Sequence, residues 1–465
     1  MTTAASTSAA QLAAIVGDAH LIANAPELAP YDIDGLRPAA AVRPGTAEEV
    51  ADIVRFAAAE KLALVASGAR TKLSIGCPPR RYDLALDMSR LARMVSYDPG
   101  DLTLSVESGI RLGTLSSALA ERGQFLPLGV PFLSLATVGG TLASGMDSPL
   151  RQLYGTARDY VLGMEFVTGE GTPAKGGGRV VKNVTGYDLH KLLMGSLGTL
   201  AVITKVNFRT FPLPVDSRAF VANFETADQA LAMSRRVAQS PLRPSTMEVL
   251  SPGVASLFRS KVAARIEPKP FSAEILTNNT WAFTTGFTGP EKLLDRSEGE
   301  CRRMAAQTKA LGISVLGRDQ IAGAFGRKRE FIPIALACAP AATILKAAVL
   351  PSRAPEVLAR IEALTEANSL PYAALARGVG VIYLALLPES RDDQARQRVV
   401  GVAAEVQSAC EGARGHAIVL WCPTEWKPAL KIWGTAPADL SEMRKLKSVF
   451  DPHGILSPGR FVGGL

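Results

Sequence analysis

The stretch 179–211 limits what this chain can become more than any other. Its turn, Val184-Thr185-Gly186-Tyr187-Asp188, puts a glycine where a positive φ is free and an aspartate where it can cap a short helix over 189–194, with Leu189, Leu192 and Leu193 on one face. Gly195 and Gly198 end that helix, Ser196 between them offers a hydroxyl, and an apolar strand resumes over 199–206. Glycines between a helix and a buried strand let a bulky planar ligand come close to the backbone. The same pattern also describes a helix C-cap followed by a β-bulge.

Two further loops of the same composition precede it. Arg43-Pro44-Gly45 leads into the capping box Thr46-Ala47-Glu48-Glu49, which opens a helix to about residue 60 with Val50, Ile53, Val54 and Ala57 as its apolar stripe. A strand over 62–66 then runs into Ser67-Gly68-Ala69-Arg70-Thr71-Lys72, a turn of small and hydroxyl residues with two cations, suited to closing backbone N–H groups around a diphosphate. Strands near 83–87 and 102–107 and a helix over 112–122 come next. They lead to Ala136-Thr137-Val138-Gly139-Gly140, then Ser144-Gly145, the element Tyr154-Gly155 to Arg158-Asp159, and a hairpin strand over 161–167 that turns at Gly169-Glu170-Gly171. No G-x-G-x-x-G with an acidic residue about twenty positions on is present, so these loops are not read as a Rossmann site.

After Pro212-Leu213-Pro214 a strand-then-helix pattern recurs four times: 219–224 with 227–238, 281–287 with 291–311, 343–350 with 354–367, and 381–387 with 392–410. This predicts an antiparallel sheet with helices on one face. The chain therefore divides into a partly mobile lead-in (1–34), a first unit (35–215), a second unit (216–435) and a tail (436–465) that is a helix followed by a Gly/Pro-rich apolar segment returning to the first unit. A net charge of +8 without a Lys/Arg run of five, or aromatics interleaved with basic residues, argues against nucleic acid. Five scattered cysteines with no Cys-x-x-Cys support neither a zinc knuckle nor an iron–sulfur cluster, and fit a reducing cytosol. The first 36 residues hold no Lys or Arg, against a secretory signal. The apolar run 331–350 is interrupted by Pro333, Pro340 and Lys346, against a membrane span.

Taken together, Arg43-Pro44-Gly45, 67–72, 136–140, 154–159 and 183–199 resemble, in order, the motifs of FAD-binding oxidoreductases of the vanillyl-alcohol oxidase and p-cresol methylhydroxylase (PCMH) type. The resemblance covers roughly 35–215 and the last 30 residues. It implies an α+β fold: a two-part PCMH-type FAD-binding domain plus an antiparallel-sheet α+β cap of the FAD-linked oxidase C-terminal type. It also implies FAD held non-covalently. Carried over by position, Ser67, Gly68, Ala69, Arg70, Thr71, Thr137, Gly139, Gly140, Ser144 and Gly145 would hold the diphosphate. Lys182, Asn183, Gly186, Tyr187, Asp188, Gly198 and Ile203 would line the flavin and the adenine-ribose. Arg43, Arg70, Lys72, Arg158, Arg179 and Lys182 are the cations at hand for its charge. A β-branched residue at Gly140 or Gly198 is expected to abolish FAD retention.

Within that family, the run from Gly177-Gly178-Arg179 to Tyr187-Asp188 and the ending Ser457-Pro458-Gly459-Arg460-Phe461-Val462-Gly463-Gly464 are similar to the smaller FAD-binding (E) subunits of bacterial glycolate oxidases, although this chain is longer, mainly over 250–340. That likeness implies glycolate or another small 2-hydroxy acid as the substrate. It implies as partners a second, larger FAD subunit and an iron–sulfur subunit, and a cytoplasmic location that touches the inner face of the membrane only through the complex. A self-sufficient FAD-dependent glycolate or D-lactate dehydrogenase is the alternative, and a non-catalytic member kept for assembly is a third. Catalytic siblings carry a His-bearing metal motif in the cap. The comparable stretch here, 374–383, has no histidine, so no metal is expected. Of the four histidines, His190 reads as a surface or capping residue, and His416 and Arg377 are the catalytic candidates.

Overall fold

The computed structural model describes residues 2–179, 186–269, 271 and 275–465. The first part of the chain builds two small sheets. One has the order Leu21–Ile22, Ala40–Val42, Leu84–Asp87, Leu64–Ser67, with the last three strands parallel. Alternation along these strands buries both faces. Val42, Leu64, Leu84 and Leu86 pack under the helix Ala47–Ala59, whose stripe Val50, Ile53, Val54 and Ala57 is fully buried, while Ala41, Val65 and Ala85 pack on Leu28, Tyr31 and Ile33. Thr46 caps the helix as expected, its hydroxyl accepting the Glu49 N–H (3.1 Å), but the reciprocal bond is shifted by one residue, the Glu49 carboxylate accepting the N–H of Gly45 (2.7 Å) and not that of Thr46.

The second sheet is five-stranded and antiparallel, ordered Met94–Asp98, Thr103–Glu107, Ala201–Arg209, Val161–Thr168, Pro173–Gly177, with a bulge between Ile203 and Lys205. The helices Leu112–Ala120 and Val138–Ser144 contribute Leu115, Leu119, Val138 and Leu142 to the core beneath it. The tail returns to the parallel sheet: the Leu64 N–H donates to the Ile455 carbonyl (2.8 Å), and the Ser457 N–H to that of Leu64 (2.9 Å).

The rest of the chain folds around an eight-stranded antiparallel sheet. Its order is Gly312–Leu316, Ser217–Phe224, Trp281–Thr288, Thr246–Leu250, Tyr372–Arg377, Val381–Leu386, Thr343–Ala348, His416–Trp421. Four of these strands were expected. Of the other four, Gly312–Leu316, Thr246–Leu250 and His416–Trp421 pair with segments distant in sequence, and Tyr372–Arg377 forms a hairpin with Val381–Leu386. The helices Ala227–Ala238, Glu291–Gln307, Ala354–Ala367 and Asp393–Gly412 cover one face, meeting Phe220, Ala222, Phe224, Leu345, Ile382 and Leu384. The alternate residues, among them Val221, Leu250, Leu375 and Tyr383, form one continuous core with Val130, Met146 and Tyr160 of the first part. The extra length is accounted for by short helices (Pro252–Arg259, Lys261–Ile266, Arg318–Arg329, Phe331–Cys338) packed on that same core. The run 331–350 is thus a short helix and a strand. No helix among the described residues is long and apolar enough to cross a membrane.

Candidate functional site

The two small sheets leave between them a cleft of about 750 Å³, open to solvent. One side is the loop 67–72, which continues the strand Leu64–Ser67. The other is the start of the helix Val138–Ser144, with Leu197, Gly198 and 201–203 closing the floor. The two sides touch through glycines. A Cβ on Gly68 would fall inside the Thr137 side chain, and one on Gly139 would lie 2.7 Å from Ser108 Cβ, so only glycine permits the approach.

The helix start is already hydrogen-bonded within the protein. The Val138 N–H donates to Ile110 O (3.0 Å), that of Gly139 to Ser108 O (2.7 Å) and that of Gly140 to the capping Thr137 hydroxyl (3.3 Å). The open donors are in the facing loop, where none of the N–H groups of residues 68–72 donates to an acceptor among the described residues. The hydroxyls of Ser67 and Ser108, both buried at the cleft, also have no partner among the described residues. Successive unpaired N–H groups with flanking hydroxyls form an anion cradle, and a buried polar group without a partner costs stability until a ligand supplies one. The residues present therefore fit a bound diphosphate.

The cations of the cleft differ in their engagement. Arg70, at φ +59°, turns its guanidinium onto Asp87 (2.9 Å) and over the Tyr31 ring (4.7 Å), while the Tyr31 hydroxyl donates to the same carboxylate (2.6 Å). Arg460, buried, donates to the carbonyls of Leu73 and Ile75 and so fixes the loop from behind. Lys72 is 9% exposed and donates to the Thr71 hydroxyl (3.2 Å). Burial brings its ammonium down to about 8, against the opposing pull of the Glu330 carboxylate.

Ser67, Gly68, Ala69, Arg70, Thr71, Thr137, Gly139, Gly140, Ser144, Gly198 and Ile203 all line this cleft. Gly145 does not: at φ +63° it ends the helix and packs on Gly195, one step behind the wall. Gly186, Tyr187 and Asp188 lie on an outer shoulder, where Tyr187 is 89% exposed and Asp188 pairs with Lys191 (2.7 Å) instead of capping the helix Leu189–Leu193. Lys182 and Asn183 lie outside the described residues. Sequence reasoning missed Met88, Ser108, Ala143, Leu197 and Arg460. Of these, Ser108 carried a usable signal, as a hydroxyl residue ahead of Gly109 at a strand end, and Arg460 stood in the tail motif read as returning to the first unit.

His416 opens the edge strand His416–Trp421, on the exposed side, and lines no part of the cleft. His190 is buried, not on the surface, with its ring against Gly177 and its proton affinity lowered by burial. Arg377 faces the first part of the chain in company set by strand register. Glu248 pairs with Arg377 across one ladder and Lys346 with Tyr383 across another, all on the face opposite the helices. There they meet Asp147, which follows the helix Val138–Ser144. Its carboxylate accepts from Arg377, from the Tyr383 hydroxyl (2.5 Å) and from Arg151 (2.9 Å), with Lys346 at 3.9 Å. Burial pushes the carboxyl up, but Arg377, Lys346 and the hydrogen bonds from Tyr383 and Arg151 together hold it well below the usual carboxylate range.

Among the described residues no His or Cys side chain lines the cleft. Acid precipitation should therefore release all the flavin. Flavin fluorescence that stays with the denatured band on a gel would show a covalent link instead.

The family described as FAD binding domain matches residues 38–176, and that described as FAD linked oxidases, C-terminal domain, matches 213–417 and 434–461. The glycolate oxidase subunit GlcD of Bacillus subtilis (strain 168) is 24% identical over 427 residues, covering 91% of this chain and 88% of that protein. The glycolate oxidase subunit GlcE of Escherichia coli (strain K12) is 38% identical over 162 residues, which is 35% of this chain and 46% of that protein. The D-lactate dehydrogenase of Archaeoglobus fulgidus is 27% identical over 438 residues, 90% of each chain, so likeness along the length of the chain is to a D subunit and to a D-lactate dehydrogenase alike, whereas the E subunit is matched over a part. The crystal structure of p-cresol methylhydroxylase with substrate bound superimposes with a TM-score of 0.76 at 17% identity, over 99% of this chain and 97% of that one, which establishes the fold. With both halves of the chain matched and the cradle fitting a diphosphate, the protein belongs to the FAD-linked oxidase family, an oxidoreductase whose cofactor is FAD.

Proposed function

We propose that this chain is the flavin-carrying companion subunit of a complex that oxidises a small 2-hydroxy acid such as glycolate, and that it works with a second, larger FAD subunit and an iron–sulfur subunit. FAD, when bound, supplies the two-electron chemistry. Oxidising a hydroxy acid on it further requires a base for the hydroxyl proton and a cation for the carboxylate, both within hydrogen-bond reach. The observation that carries the reading is the engagement of Arg377 and Tyr383, which face the first part of the chain from the cap, by the chain's own carboxylate at Asp147. Neither His416 nor another described histidine stands at the cleft to act as base. We take 35–215 as the FAD unit, 216–435 as the cap and 436–465 as the segment closing back on the FAD unit. On this reading the chain is cytoplasmic and meets a membrane only through its partners.

The loop 67–72, with Ser67, Ser108 and Gly139, holds the diphosphate, and Gly140, Ser144, Gly198 and Ile203 accommodate the rest of the cofactor. Losing a general base typically costs 10²- to 10⁴-fold in rate, so the isolated, FAD-replete chain should oxidise glycolate or D-lactate with an artificial acceptor slowly or not at all. Turnover of about 10 per second, a median enzyme rate, would show a complete enzyme and sink the companion reading.

A further inference from the structure

We propose that the ammonium of Lys72 is the charge partner of the flavin ring, not of the diphosphate, and that it sets the ring's affinity for electrons. Lys72 lines the cleft, is nine-tenths buried, and has no carboxylate within 4 Å among the described residues; its one hydrogen bond there goes to the neighbouring Thr71 hydroxyl. The Glu330 carboxylate attracts it only from beyond ion-pair distance, and a buried ammonium with no carboxylate in contact is costly, a group retained where a ligand supplies what the protein withholds. The other two cations of the cleft are engaged, Arg70 with Asp87 and Arg460 with the carbonyls of Leu73 and Ile75.

Position decides which part of FAD the ammonium meets. The diphosphate cradle is the end where Gly68 abuts Thr137 and Gly139 abuts Ser108. Lys72 points elsewhere, to 5.8 Å from the centre of the Phe132 ring. The Phe132 N–H donates to Glu330 (2.7 Å), which stands between the helices Arg318–Arg329 and Phe331–Cys338, and the Phe132 ring lies 6.3 Å from Trp421 of the cap sheet. The ammonium therefore stands where the cap closes over the cleft. FAD is a diphosphate flanked by two ring systems, and the ring that exchanges electrons is the one that must face that side.

A cation beside the flavin stabilises the negative charge that the ring gains when it accepts an electron pair. Sulfite reports on the same property. Its sulfur lone pair forms one S–N bond to the ring, nothing leaves, and the negative charge passes to the ring system. The inference rests on FAD as cofactor and not on the companion-subunit reading, so the two can fail separately.

The test compares the full, FAD-loaded chain with Lys72→Met and Lys72→Arg, measuring sulfite affinity, the two-electron reduction potential and the Kd for FAD. Lys72→Met should fold, because it removes a desolvated charge. It should bind sulfite at least tenfold more weakly and have a potential lower by about 30 mV, the equivalent of tenfold for a two-electron couple. Its Kd for FAD should change less than threefold, and Lys72→Arg should restore the first two quantities. A tenfold loss of FAD affinity with sulfite binding and potential unchanged would move Lys72 to the diphosphate and overturn the proposal. An unfolded Lys72→Met chain, or one unchanged in all three measurements, would give the ammonium a role in the fold alone and overturn it equally.

Discussion

Asp147→Asn should cost about 3–5 kcal/mol of unfolding free energy, the usual penalty for removing one partner of a buried ion pair and leaving the other unpaired. Asp147 is buried, 7% exposed, and is the shared acceptor for Arg377, Arg151 and the Tyr383 hydroxyl, with Lys346 close by. Without its charge, Arg377, Arg151 and Lys346 at the junction of cap and FAD unit have, among the described residues, only Glu248 near them, 3.9 Å from Arg377 and itself paired with Lys328 (2.6 Å). Because the folded carboxyl titrates below its unfolded value, its contribution is complete above the unfolded carboxylate pKa of about 3.9 and is lost as pH falls through the lower, folded value. The difference between the wild type and the variant should accordingly be constant from pH 5 to 7 in urea unfolding of the FAD-free chain, and narrow only in strong acid. Arg377→Met should cost a similar amount, and the double variant less than the sum, since the two residues contact each other. A penalty below about 1 kcal/mol for Asp147→Asn would put the cluster in the class of solvated surface pairs.

The second large effect is expected at Gly139. A valine there would place its Cβ 2.7 Å from Ser108 Cβ and 3.1 Å from the Ser108 carbonyl oxygen, so the helix Val138–Ser144 and the Ser108 turn must separate. Overpacking of this kind costs about 1–3 kcal/mol. As it falls on the cradle, FAD affinity should drop about ten- to a hundredfold, at 1.4 kcal/mol per tenfold. The flavin-to-protein absorbance ratio after gel filtration measures it, and circular dichroism should show the cap sheet unchanged. Gly140 makes the control. It lies inside the helix, and a Cβ there would meet only the Thr137 hydroxyl at 3.1 Å, so Gly140→Ala should keep its flavin. The expectation for a β-branched residue at Gly140 or Gly198 concerned the bound cofactor and the backbone; among protein contacts the tight ones fall at Gly139 and Gly68, and Gly198 has a φ of +69°. Full flavin occupancy in Gly139→Val would mean that the contact with Ser108 is not needed to build the cradle.

What local sequence could determine about this protein, it did. The cap at Thr46, the stripe Val50–Ile53–Val54–Ala57 and the strand-then-helix units beginning near 219 and 381 are decided within a turn or two of backbone, where periodicity and side-chain capping act directly. The loops 67–72 and 137–144 stood out for the same reason, because runs of glycine and hydroxyl residues are local properties, but that the open N–H groups belong to 67–72 alone was decided by the contacts of 138–140 with Ser108 and Ile110. Strand order in the eight-stranded sheet was not, nor was the convergence of Ser108, Leu197 and Arg460 on one cleft, since no pattern in a window reports which distant segment will pair. Tyr187 shows the limit most plainly. Its neighbours in sequence matched a family motif, yet its side chain stands on an outer shoulder because the helix Leu189–Leu193 packs His190 and Leu193 inward. Asp147, in no motif, and Arg377, a catalytic candidate in the sequence, lie 230 residues apart; only the packing of the cap on the FAD unit made them a buried pair.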